Sequence, residues 1–138
     1  MTVQKLASRN KVDLYLFDPD ATDLTDVAWV DMQDYDSILI GFEKTAGTSA
    51  VVFKIIANTE SDGSGTDVVL ATSTSDPAAV ADEAFLEVNQ QMIAAAGSGY
   101  RYVSAQISVA TDTDEGAVVY IRGISKNPQK DLTVDAIA

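Results

Sequence analysis

Apolar residues recur at every second position along several segments of the chain, which is the spacing of a β-strand that buries one face. The clearest segment covers residues 101–110, and its alternating apolar residues are Val103, Ala105, Ile107 and Val109. The same spacing occurs in the shorter segments 12–17, 37–42, 51–56 and 84–88. A further apolar run covers 67–71, and a final predicted strand covers about 117–124. The pattern predicts a chain built mainly of β-strands.

The connections between these segments are short and rich in turn-forming residues. Residues 58–66 and 111–116 are examples, in which Gly permits positive φ while Asp, Ser and Thr bond their own backbone. Strands joined in this way predict an all-β fold, an antiparallel β-sandwich of jelly-roll-like form. One segment differs, because the Gln, Met and Ala residues near 89–96 favour a short helical segment that Gly97 would end.

The chain length and composition are those of one globular domain. It has 138 residues, of which 46% are hydrophobic and 22% charged, enough for a single core. The predicted division is an extended N-terminal arm at 1–11, a β-sandwich domain at 12–125 and a C-terminal tail at 126–138. No apolar run approaches the roughly 18–20 residues of a membrane-spanning helix, and no signal-peptide pattern is found, so no membrane association is expected.

The balance of charges and the missing residue types exclude several kinds of function. The chain has 21 acidic and 9 basic residues, a formal charge of -12, and neither His nor Cys. An acidic body repels phosphate, so nucleic-acid binding is not expected. Without His or Cys there is no disulfide, thiolate metal site, Cys nucleophile or His-based acid–base scheme. We therefore expect a protein that is not an enzyme, with no catalytic residues and no cofactor.

Three acidic loops are the places where a cation such as Ca²⁺ could bind through oxygen ligands. None has the full spacing of a Ca²⁺-binding loop, and a hydrogen-bonded turn accounts for each of them. We therefore expect no bound metal. The acidic residues concerned are Asp18, Asp20, Asp23 and Asp26 in the first loop, Asp62 and Asp67 in the second, and Asp112, Asp114 and Glu115 in the third.

Basic residues are concentrated near the two ends of the chain. Residues 1–11 and 122–130 contain six cations and no acidic residue. One interpretation is that these segments are solvated tails. The other is that they are arms whose cations pair with acidic surfaces of neighbouring subunits. In that case the residues that contact a partner are Lys5, Arg9, Lys11, Arg122, Lys126 and Lys130.

Three blocks of the sequence resemble a family of small virion proteins of tailed phages. Residues 28–36 (AWVDMQDYD), followed by 38–42, are similar to the family's W-V-D-L-x-D-Y opening. Residues 51–66 resemble its V-x-F-K-L-x-x-A-T-D-x-x-G-T-G hairpin, and 99–109 (GYRYVSAQISV) its G-F-R-Y-V-R-A-R-I-T-V strand. The match in order and spacing extends from about residue 12 to 125. It departs at Ser104-Ala105-Gln106, where the family has R-A-R.

The resemblance implies a phage structural protein with a β-sandwich fold, of the capsid decoration (cement) type. Such a protein would be a homotrimer on the outer surface of the virion head, bound to the major capsid protein after synthesis in the host cytoplasm. Leu39 or Phe17, expected to face away from the main core, could then make subunit contacts; alternatively, both faces of these strands are covered within the monomer. The alternatives are a tail or neck component of the same fold, a carbohydrate- or calcium-binding β-sandwich module and, more remotely, a small hydrolase.

Overall fold

The computed structural model describes residues 10–17, 24–74, 76–108 and 113–125. These residues form nine strands and one short helix. The strands are β1 Lys11–Phe17, β2 Leu24–Asp26, β3 Val30–Asp31, β4 Tyr35–Ala46, β5 Val52–Asn58, β6 Val68–Thr72, β7 Glu83–Asn89, β8 Tyr102–Ser108 and β9 Glu115–Ser125, and the helix is α1 Gln90–Ala96. The arm and the tail fall largely outside the described residues, so the predicted division of the chain stays a prediction.

The strands form two antiparallel sheets. The first sheet has the order β1-β9-β4-β7, and the second has the order β2-β8-β5-β6 with β3 also paired to β8. Because β2 and β3 both pair with β8, they count as one interrupted strand. The eight strands then run first-eighth-third-sixth in one sheet and second-seventh-fourth-fifth in the other, which is the strand order of a jelly roll. The all-β sandwich predicted from the sequence is confirmed.

The core lies between the two sheets, where the inward residues of each strand meet. On the first sheet the register aligns Ile40 with Tyr120, and on the second it aligns Phe53 with Ile107 and Ile55 with Ala105. All of these side chains are fully buried. The alternating apolar residues of β4, β5 and β8 therefore form the core that their period-2 spacing predicts.

The helical segment follows β7 directly and packs against the core through one residue. Asn89 caps α1, since its side chain accepts a hydrogen bond from the Met92 N–H at 3.0 Å. Ile93 is the buried residue of the helix, and Gly97, with φ 139°, follows its last turn. The short helix predicted near 89–96 is confirmed as Gln90–Ala96.

In strand β1 the Phe17 side chain points inward, opposite to the outward direction expected from the sequence. Phe17 is only 2% exposed, and its ring contacts Phe42 edge-on with centroids 6.1 Å apart. The pairing of β1 with β9 places Tyr15 and Phe17 inward, and Leu14 and Leu16, which alternate with them, outward. The expectation of an exposed Phe17 is therefore wrong, because burying two aromatic rings between the sheets removes more apolar surface from water than burying two leucines. Leu39 does lie on the outward face, half-buried.

Tyr120 joins the two sheets at the interruption between β2 and β3. Its hydroxyl donates a hydrogen bond to the Ala28 carbonyl at 2.9 Å and accepts one from the Ala105 N–H at 2.8 Å. The phenol thus bonds backbone groups at the point where the paired strand leaves β8. Burial raises the pKa of Tyr120 to about 12, because a phenolate would lose its hydration there.

A buried ion pair holds three connections together at one end of the sandwich. Lys44 Nζ and Asp114 Oδ1 are 2.7 Å apart, and both side chains are fully buried. The Lys44 ammonium also donates to the carbonyls of Ser49 and Ala78, and Asp114 accepts a hydrogen bond from the Ser49 N–H at 3.2 Å. The charges of this pair are therefore compensated by each other and by backbone groups.

Candidate interaction surface

The outward face of the first sheet carries mostly apolar side chains together with three glutamates. The register of β1, β9, β4 and β7 places the outward side chains in three rows that cross the four strands. We call these residues the outer sheet face. Across the strands the rows read Val12, Ile121, Leu39, Glu87, then Leu14, Val119, Gly41, Phe85, then Leu16, Ala117, Glu43, Glu83.

The large apolar side chains on the two edge strands of this face, β1 and β7, are open to solvent in the single chain. Leu14 is 78% exposed, Leu16 86% and Phe85 57%. Scattered apolar residues are common on protein surfaces, but a contiguous patch across several strands is typical of a surface that contacts another protein. The outer sheet face is therefore the strongest candidate for a functional site in the described part of the chain.

A groove crosses the outer sheet face between β1 and β7. Its volume is about 410 Å³, and Leu14, Leu16, Phe85 and Val119 contribute to its walls. Gly41 lies at the floor of the groove. A Cβ on Gly41 would come within 2.5 Å of the Phe85 ring, so there is no room for a side chain at this position. Gly41 therefore lets the Phe85 ring lie flat against the sheet, and the ring forms one wall of the groove.

Carboxylates border the face on one side. Glu43, Glu83 and Glu87 lie on β4 and β7, and all three are exposed. No cation of the described residues is aligned with them in the sheet register. The surface therefore combines an apolar centre with a negative border, which favours a partner that brings apolar and basic groups together.

The structure gives two of the six predicted partner-contacting cations a place in the domain. Lys11 is half-buried on β1 and pairs in register with Arg122 on β9. Arg122 is 8% exposed, and its guanidinium donates hydrogen bonds to the Asp31 carbonyl at 2.9 Å and to Asp13 Oδ2 at 3.1 Å. Its Cζ also lies 4.9 Å from the centroid of the Tyr35 ring.

Arg122 therefore has an internal role, joining β1, β9 and the end of β3. Lys5, Arg9, Lys126 and Lys130 lie outside the described residues. The partner contacts of all six cations stay a prediction.

Three acidic residues of the predicted turns make contacts within the domain. Asp114 is the buried partner of Lys44, and Asp67 accepts a hydrogen bond from the Asn58 side chain at 2.7 Å. Asp62 accepts one from the Ser64 N–H at 3.0 Å, and hydrogen bonding from the Ser64 side chain, together with this N–H, lowers the pKa of its carboxyl. Residues 10–17, 24–74, 76–108 and 113–125 contain no cluster of three acidic side chains placed to hold a metal ion. Asp18, Asp20, Asp23 and Asp112 lie outside these ranges.

Elsewhere on the surface, a salt bridge connects β3 to the start of β8. Arg101 Nε donates to Asp31 Oδ1 at 2.7 Å, and this hydrogen bond lowers the pKa of the Asp31 carboxyl. Trp29 contacts the β5–β6 hairpin, since a Cβ on Gly63 would lie 2.3 Å from the indole Nε1. These contacts have a structural role.

Sequence reasoning did not find the outer sheet face as a whole. It expected Leu39 or Phe17 to face outward, and only Leu39 does so. It did not single out Leu14, Leu16 or Phe85. The available signal was a strand with large apolar side chains on both faces, because Val12, Leu14 and Leu16 alternate with Tyr15 and Phe17. Such a strand has to leave one apolar set outside the core of a two-sheet sandwich.

Comparisons with known proteins give remote structural likeness. No family model and no curated protein matches the chain. The SPBc2 prophage-derived protein YomS is 15% identical, with a TM-score of 0.46, over 88% of this chain and 98% of that one. VP2 of infectious bursal disease virus, in its subviral particle, is 10% identical, with a TM-score of 0.49, over 90% of this chain and 35% of VP2.

The PBSX exported protein XepA is 13% identical, with a TM-score of 0.43, over 83% of this chain and 38% of XepA. Likeness at this level concerns general architecture and carries no functional conclusion.

Within the described ranges, no helix has the length and apolar character needed to span a membrane.

Proposed function

We propose that this chain is a structural protein of a phage virion without enzymatic activity, and that it decorates the outer surface of the head. Its partner would be the major capsid protein, and the outer sheet face would make the contact. The observation that carries the proposal is the exposure of Leu14 and Leu16 on the edge strand β1, where they continue an apolar surface that extends across the sheet. A surface of this kind is explained by burial against another protein.

The resemblance of three sequence blocks to small tailed-phage virion proteins supports the same role. These blocks lie in β3 and β4, in β5 with the turn that follows it, and in β8, which are parts of the jelly-roll framework. They specify a scaffold and not a reaction site. The proposed role agrees with this, since a protein that binds a shell needs a rigid domain and a contact surface.

The physical basis of the role is the burial of surface between shell subunits. A filled head is under outward pressure, and a protein that contacts two neighbouring capsid subunits opposes their separation. Each leucine that becomes fully buried contributes about 1.5–3 kcal/mol. Several copies bound around a symmetry axis add such contacts by avidity, so modest single interfaces suffice.

The test uses heads of the encoding phage prepared without this protein. Purified wild-type chain is added, and binding is measured by co-sedimentation. The informative variant is Leu14→Ser with Leu16→Ser, for which we expect binding at least tenfold weaker with an unchanged circular dichroism spectrum. The matched control is Val69→Ser with Val80→Ser, because these residues are 49% and 60% exposed but lie outside the outer sheet face.

Cryo-electron microscopy of the decorated head provides the second measurement. Density for a β-domain on the outer head surface, with the outer sheet face toward the shell, is the expected result. Head binding by the leucine variant equal to that of the control would overturn the role of the face. Density in the tail or neck alone would overturn the decoration role itself.

A further inference from the structure

Strand β7 is an open edge of the first sheet. In the order β1-β9-β4-β7 it has β4 on one side, and the described residues place no strand on its other side. Its outward side chains alternate as Glu83, Phe85 and Glu87, and all three are exposed. An edge strand presents backbone N–H and C=O groups that can pair with an added strand.

We propose that residues 3–9 of a second copy of this chain pair with β7 as an additional strand. In an extended segment, alternate side chains lie on one face, so Lys5, Ala7 and Arg9 would all face the same way. Two cations then flank a small residue, opposite two carboxylates that flank an aromatic ring. Strand addition of this kind combines backbone hydrogen bonds with side-chain specificity.

The spacing of the charges matches in the two segments. Lys5 and Arg9 are four residues apart, as are Glu83 and Glu87, and four residues of a strand span about 13 Å. The match holds for either direction of the added strand. A parallel arm pairs Lys5 with Glu83, an antiparallel arm pairs it with Glu87, and Ala7 faces Phe85 in both cases.

Geometry requires that the arm comes from a different copy. The arm is joined to β1, at the opposite edge of the same sheet, where Asn10 covers Gly123 of β9. A strand added to β7 lies four inter-strand spacings from β1, which is about 19 Å. The Cα atom of Arg9 is about 3.8 Å from that of Asn10, so Arg9 cannot reach the β7 edge of its own copy.

The contact has the form needed for a closed ring. Each copy donates one arm and offers one β7 edge, so the two surfaces differ and the interface is heterologous. Three copies related by a three-fold axis would close such a ring, in line with the homotrimer that the sequence resemblance implies. The contact also offsets repulsion between bodies of charge -12, because it places cations against carboxylates.

The first experiment measures the mass of the purified full-length chain by sedimentation equilibrium at 0.1 M salt. Wild type is expected to form an oligomer. Lys5→Glu with Arg9→Glu, and separately Glu83→Lys with Glu87→Lys, should each raise the dissociation constant at least tenfold, because like charges then face each other across the strands. The combination of all four substitutions should restore the wild-type oligomer.

The matched control is Asp36→Lys with Glu60→Lys. It changes the net charge by the same amount as the β7 variant, at exposed positions outside β7. It is expected to leave the oligomer intact. If Glu83 and Glu87 act only to discourage strand pairing at a free edge, reversing them does not weaken the oligomer and the proposal fails.

The second experiment uses disulfide trapping, since the chain contains no cysteine. Ala7→Cys with Phe85→Cys should give disulfide-linked species up to the size of the full ring on non-reducing gels. Ala7→Cys with Val69→Cys is the control, because Val69 is exposed on the other sheet, and no such ladder is expected. A monomeric wild type, or equal ladders from the two pairs, would overturn the arm contact.

Both experiments use the purified chain without heads, so their outcomes can be distinguished from those of the test of the capsid role. An oligomer that depends on the charge pairs but does not bind heads supports the arm contact and removes the decoration role. A chain that binds heads as a monomer supports the decoration role and removes the arm contact.

Discussion

Lys44 and Asp114 form a fully buried ion pair, with Nζ and Oδ1 2.7 Å apart. Lys44 lies near the end of β4 and Asp114 directly before β9, and both are bonded to Ser49 in the connection between β4 and β5. One ion pair thereby fixes the positions of three chain segments at one end of the sandwich. Its importance is structural, since each charge depends on the other for compensation.

Replacing Lys44 by Met is therefore expected to lower the free energy of unfolding by about 3–5 kcal/mol, because the Asp114 carboxylate would be left buried without its cation. Urea denaturation at pH 7 measures the change. Lys54→Met is the matched control, since Lys54 is half-buried and is aligned with Thr72 and Gln106 in the sheet register, not with a carboxylate, and should stay within about 0.5 kcal/mol of wild type. Equal effects of the two substitutions would contradict the role of the pair.

The Tyr120 hydroxyl makes stability sensitive to alkaline pH. In the unfolded chain this phenol ionises near its ordinary pKa of 10, whereas burial holds its folded pKa at about 12. Above pH 10 the unfolded state therefore loses its proton first, so the stability of the fold decreases as pH rises toward 12. The expected loss from this group is about 2–3 kcal/mol.

Tyr120→Phe provides the comparison. At pH 7 it should be less stable than wild type by about 1–3 kcal/mol, because the Ala105 N–H loses its partner in the core. The difference should narrow between pH 10 and 12, as measured by urea midpoints at each pH. Tyr100→Phe, at a half-buried position, should run parallel to wild type, and a gap that stays constant for Tyr120→Phe would contradict the assignment.

The contact between Gly41 and Phe85 should appear as a coupling energy. Gly41→Ala is expected to destabilise the chain by about 1–2 kcal/mol, because its Cβ would lie 2.5 Å from the Phe85 ring and force it to move. In a Phe85→Ala background the same substitution should cost little. A double-mutant cycle by chemical denaturation measures the difference, and additive effects would show that the ring does not lie over Gly41.

The strands that sequence reasoning predicted best have one apolar and one polar or small face. In β8, Val103, Ala105 and Ile107 are buried, and the alternation with Ser and Gln leaves no choice of orientation. In β1 both faces carry large apolar side chains, so periodicity located the strand but did not fix its direction. Its pairing with β9 and the space available for two aromatic rings decide it.

Short or long-range features could not be found from the sequence. β2 and β3 have three and two residues, too few to show a period. Arg122 could be recognised as a cation near the end of the domain, but its hydrogen bond to Asp31 joins residues 91 positions apart. The outer sheet face likewise depends on strands that are neighbours only after folding, so its apolar centre and acidic border could not be assembled from spacing alone.

The pairing of the first strand with the last also determines how the two ends of the domain could be joined to each other. Lys11, at the beginning of β1, lies beside Arg122, near the end of β9, so the domain is entered and left at the same corner. A short linker across one strand spacing, about 4.8 Å, could join these points, and new termini could be opened in the exposed hairpin between β5 and β6. The domain is therefore suited to circular permutation, and any segment attached at either end would emerge from one place on its surface.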